Sequence, residues 1–74
     1  MYKRQQLRRL RLDIAKELGL PAYVIFHDKT LKEMAILRPN TREAFLQITG
    51  VGENKAEQFG ERFLKAIRAW EKAL

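Results

Sequence analysis

The sequence predicts an all-α fold, a compact five-helix bundle with a short 3₁₀ turn after the first helix. Three observations carry this reading. Apolar residues recur at three- and four-residue spacings near both ends of the chain. Glycine and proline stand at the junctions between the periodic stretches. The one strand-like run, Tyr23-Val24-Ile25-Phe26, is too short and isolated to build a sheet.

The first helix rests on Leu7, Leu10, Ile14 and Leu18, which fall within about 80° of arc at 100° per residue. Gly19 ends it, and Pro21 opens the turn that runs to Phe26. Asp28 suits an N-cap for the second helix, which contains Leu31, Met34, Ala35 and Leu37 and stops at Pro39. Asn40 with Glu43 resembles a capping box for the third helix, and Thr41 competes as its cap; Phe45, Leu46 and Ile48 form the apolar side. Gly50-Val51-Gly52 then separates that helix from a fourth, Glu53 to Phe59, which Gly60 is expected to break. The fifth runs from about Glu61 to the end, with Phe63, Ile67, Trp70 and Leu74 as its stripe.

Residues 1–74 make one domain, near the size at which an unaided core is marginal. Cysteine is absent, so disulfides and thiolate metal sites are excluded; one histidine cannot make a usual zinc site. No apolar run is long enough to cross a bilayer. His27 reads as a solvated or locally hydrogen-bonded residue, and no carboxylate pair stands in an apolar setting suited to catalysis. Neither a catalytic site nor a cofactor is expected.

The net charge of +6 is uneven. Residues 1–16 hold Lys3, Arg4, Arg8, Arg9, Arg11 and Lys16 against Asp13 alone, whereas residues 17–74 hold nine cations against eight acids. On the first helix Arg4, Arg8 and Arg11 cluster within about 60° on one flank, with Asp13 and Glu17 on the other. Three arginines with no acid among them suit a row of phosphates. Tyr23 sits just past this helix. With Phe26 as the better core candidate, its ring is expected to be partly exposed, either stacking a base beside the basic ridge or half-buried with its hydroxyl in water. The glycine hinge also has two readings. Its N–H groups could face a phosphate with Lys55 adding charge, or Val51 packs inward and the hinge is architectural; the second is favoured.

These pieces resemble the HRDC domain, the helicase-and-RNase-D C-terminal module. The resemblance rests on Leu7-Arg8-Arg9-Leu10-Arg11, Pro21 through Leu31, Met34-Ala35, Pro39, Leu46 through Gly52, Lys55, Phe59-Gly60 and Phe63, and covers residues from about 4 to 70. It implies a non-catalytic nucleic-acid-binding module cut from a larger enzyme, most like a bacterial RecQ-type ATP-dependent DNA helicase. Tyr23 corresponds to the family's DNA-contacting tyrosine, and Arg8, Arg9 and Arg11 to its basic first-helix positions. Leu12 and Asp13 depart from the more basic or polar pair that bacterial RecQ-type modules can carry.

The expected nucleic-acid contacts are Tyr23, Arg4, Arg8, Arg11, Lys29 and Lys55. The expected partners are single-stranded or partly duplex DNA, with RNA possible, and the rest of the parent helicase; no membrane is involved. The domain is expected to be a monomer in the bacterial cytoplasm, associated with the nucleoid. The alternatives are a regulatory module docking on an acidic surface of the parent or a partner, and an RNA-binding domain of an RNase D-like nuclease. Because neither Arg8 nor Arg11 belongs to the apolar stripe, reversing both to Glu is expected to abolish binding without unfolding.

Overall fold

The structure, a computed structural model, describes residues 2–72, with side chains described for residues 3–70. Five helices follow one another: α1 Tyr2–Leu18, α2 Ala22–Ile25, α3 Asp28–Leu37, α4 Arg42–Leu46 and α5 Glu53–Lys72. The count agrees with expectation, but its composition differs at two places. The turn after α1 closes into the single helical turn α2, and the two expected C-terminal helices are one.

Helix α5 runs through Gly60 because its apolar stripe does not stop there. Ala56, Phe59, Phe63, Leu64, Ile67 and Trp70 are all buried. Glycine inside a helix costs about 1 kcal/mol relative to alanine, less than burying a single large side chain of that stripe gains. At Gly60 a Cβ would lie 3.5 Å from the Phe45 ring, ordinary van der Waals contact, so alanine would fit there against α4. The expected Leu74 end of the stripe lies outside the described residues.

Phe26 is the centre of the core. Its ring meets Phe45, Phe59 and Phe63 edge-on, with centroids 6.1, 6.1 and 5.0 Å away, a geometry favoured by the aromatic quadrupole. Leu7 and Ile14 of α1, Leu31 and Met34 of α3, and Ile67 of α5 complete it. Leu18, placed on the α1 stripe by spacing, is instead 53% exposed, since it ends the helix beyond the reach of the core. The first and last helices are clasped by Trp70, whose indole N–H donates to Gln6 and whose ring carries the Lys3 ammonium at 5.6 Å.

The hinge is architectural. Val51 is buried, and Gly50 has φ +88 with its α-carbon against α3; a Cβ there would stand 2.5 Å from Thr30 Oγ1. Thr30 Oγ1 donates to the Thr49 carbonyl at 2.9 Å, while Glu33 accepts from the Thr49 backbone N–H at 3.3 Å. The Val51 N–H is used by the Ile48 carbonyl. With the Val51 N–H and that of the preceding Thr49 taken, and a carboxylate beside them, the hinge is a poor cradle for phosphate. Of the two candidate caps for α4, Thr41 is the one used, its hydroxyl accepting from the Ala44 N–H. Asp28 begins α3 rather than capping it; His27 occupies the cap position without a side-chain hydrogen bond.

Candidate nucleic-acid interface

The course of the chain from Tyr23 to His27 explains the site. Ile25 and Phe26 turn into the core with no exposure, while Tyr23, Val24 and His27 face outward. Tyr23 is 62% exposed. Its ring lies in an offset stack with His27, centroids 6.4 Å apart and planes 27° from parallel. The segment is held in place by Arg11, which reaches across from α1. One guanidinium nitrogen donates to the Phe26 carbonyl at 2.9 Å, and the other pairs with Asp28 at 2.8 Å.

That anchoring corrects the expectation for Arg11. It is 8% exposed, its guanidinium is committed to the fold, and it does not share an outward face with Arg8. The flank is also not free of acid, because Asp28 enters it from α3. Arg11 holds the Asp28 carboxyl below the ordinary carboxylate range, first through its hydrogen bond and then through its charge, with smaller contributions from Arg8 and Arg4. Arg8 and Arg4 precede Arg11 on α1 by three and seven residues, a spacing that sets their α-carbons on the same flank of the helix. Arg8 is exposed and Arg4 half-buried. The remaining expected contacts are distributed around this centre. Lys29 is exposed on the first turn of α3. Lys55 is half-buried, its ammonium 5.8 Å from the Phe26 ring centroid, and it lines a shallow cleft with Leu18, Leu20, Val24, Asn54, Gln58 and Phe59. On the far flank of α1, Glu17 pairs with Arg62 of α5 at 2.9 Å, which lowers the Glu17 carboxyl's affinity for protons.

Asp28 makes stability pH-dependent with a definite sign. A carboxyl whose folded affinity for protons is depressed contributes stability above its unfolded pKa, about 3.9, and loses it as pH falls through the lower folded value. Asp28→Asn is therefore expected to melt below wild type at pH 7, with the gap closing as pH drops below about 4. Melting curves recorded against pH check this, and a gap that persists unchanged at low pH would contradict it.

Two groups were not legible as site components from spacing: Asp28 as the partner of Arg11, and His27 as the partner of Tyr23. No group of three or more potential metal ligands occurs among the described residues. No described helix is long and apolar enough to cross a membrane.

A bundle pinned by α1 to an outward aromatic turn defines a recognisable class, and the chain belongs to the HRDC domain family, whose model matches residues 4–67. The chain is 44% identical over 69 residues to the ATP-dependent DNA helicase RecQ of Pasteurella multocida, covering 93% of this chain and 11% of that protein. It is equally identical over 63 residues to the ATP-dependent DNA helicase UvrD2 of Mycobacterium tuberculosis, covering 85% of this chain and 9% of the helicase. Among solved structures it resembles HRDC domain 3 of D. radiodurans RecQ, with a TM-score of 0.86 and 38% identity, covering 89% of this chain and 87% of that one. The chain thus spans about a tenth of the length of the curated relatives it matches.

Proposed function

We propose that this chain is an auxiliary, non-catalytic DNA-binding domain of an ATP-dependent helicase of the RecQ kind, and that it tunes which DNA structures the enzyme engages. The observation that carries the proposal is the exposed Tyr23 ring on a turn that Arg11 ties to α1, beside Arg8 and Arg4. An exposed aromatic next to cations stacks an unpaired base while the cations hold its backbone, a sequence-tolerant way to grip single strands. Arg8, Arg4, Lys29 and Lys55 supply the phosphate contacts, and Arg11 supports them from below. The matched helicases favour DNA over RNA as the ligand. The domain acts as a monomer on the bacterial nucleoid, beside the motor of its parent. In a second reading the basic flank, with Arg8 exposed on α1, docks on an acidic surface of the parent or a partner.

Titrating the domain into a labelled single-stranded oligonucleotide at several salt concentrations tests the proposal. Binding is expected to be saturable and weak, in the micromolar range. About four phosphate contacts on a single strand give a log–log salt slope near −3. Arg8→Glu is expected to leave folding intact and to reduce the slope by about 0.7, the share of one phosphate contact. No saturable binding at low salt would favour the docking reading instead.

A further inference from the structure

We propose that His27 is a second base-stacking residue, so that Tyr23 and His27 together form a two-ring shelf for two successive unpaired bases. This rests on the reading of the Tyr23 turn as a single-strand contact. Four observations support the pairing. Both residues are exposed, and their planes are only 27° from parallel, so the two rings present similarly oriented faces. Their centroids are 6.4 Å apart, beyond the 3.5–4.0 Å at which two rings would lie in full face-to-face contact, so neither ring seals the other's face. The imidazole has no structural employment at the start of α3, where His27 is the cap residue yet makes no side-chain cap hydrogen bond. The backbone beneath is rigid: Phe26 is wholly buried, its carbonyl is held by Arg11, and the His27 carbonyl accepts from the Leu31 N–H at 3.1 Å.

A turn fixed in this way needs no backbone ordering when the strand arrives, which spares the entropy that a free loop would lose. Histidine is among the side chains on which unstacked bases settle. Asp28 and Lys29 follow His27 directly in the chain, Arg11 pairs with Asp28, and Arg8 stands exposed one turn before Arg11 on α1, so exposed cations stand on both elements that the turn joins.

The test compares wild type, His27→Ala, His27→Phe and Tyr23→Ala on a labelled oligothymidine and on a duplex of equal length, with thermal melts as a folding control. His27→Ala is expected to bind the single strand at least about fivefold more weakly, the low end for one lost base stack, with little change on duplex. His27→Phe, which keeps a flat ring and removes the imidazole nitrogens, is expected to restore single-strand affinity. If His27→Ala binds like wild type while Tyr23→Ala is weakened, the second ring is refuted and the Tyr23 contact stands. If His27→Phe binds as poorly as His27→Ala, stacking is refuted as the role of His27. If wild type itself shows no saturable binding, both this inference and the reading beneath it fall.

Discussion

Arg11→Ala is expected to destabilise the domain by about 2 kcal/mol or more, the cost of leaving a buried acceptor such as the Phe26 carbonyl without its donor, with lost packing of the arginine stem added. For a domain of this size each kcal/mol moves the melting temperature by about 4–8 °C, so the variant should melt roughly 10 °C below wild type. The effect is large because one side chain holds two elements to α1. Its two terminal nitrogens fix the end of the α2 turn and the start of α3 together. Lysine cannot reproduce a two-pronged hold, so Arg11→Lys should recover only part of the loss. Glutamate would be worse, setting a carboxylate against Asp28. The Arg8 and Arg11 double reversal expected from sequence would therefore unfold the protein and say nothing about binding; Arg8→Glu alone is the informative variant. Thermal melts followed by circular dichroism decide the matter. A midpoint for Arg11→Ala within 2 °C of wild type, inside the shift of about 0.5 kcal/mol, would show that the anchor is not structural.

The second large effect lies in binding rather than stability. Tyr23→Ala removes a ring that is 62% exposed and contributes little to the core. The melting temperature should barely move, while single-strand affinity falls by at least about fivefold, since one base–aromatic stack contributes 1–3 kcal/mol. A paired duplex keeps its bases stacked on one another and offers the ring no free face along its length. Its affinity, carried by cations and phosphates, should change much less. Tyr23→Phe, which retains the stacking surface, should bind the single strand nearly as well as wild type.

The helices were legible because they follow periodicity and punctuation, and those are properties of the chain alone. Phe26 as core and Tyr23 as an outward neighbour followed from the same logic. Arg11 was misplaced for an instructive reason. At 100° per residue it lies only about 40° from Leu7 and 60° from Ile14, at the margin of the apolar arc. The buried side chains of α1 are Leu7, Arg11, Ile14 and Ala15, an arc turned toward Arg11 and away from the Leu10 edge. Counting only apolar residues hides a buried cation, because its burial depends on an acceptor and an acid supplied by residues 26 and 28. Gly60 shows the opposite case: a local helix breaker was overridden by a stripe of burial running from Ala56 to Trp70, a tertiary effect that no short window contains. The Tyr23–His27 pairing escaped for a similar reason, since it depends on Ile25 and Phe26 both turning inward between them.

The account depends on the turn after α1 gripping unpaired DNA through its ring. The most direct measurement is a parallel titration of wild type and Tyr23→Ala against a single-stranded oligonucleotide and a duplex of matched length, at one low salt concentration. A loss of at least about fivefold on the single strand, with duplex affinity nearly unchanged, is the predicted result. Equal losses on both ligands, or none on either, would contradict it.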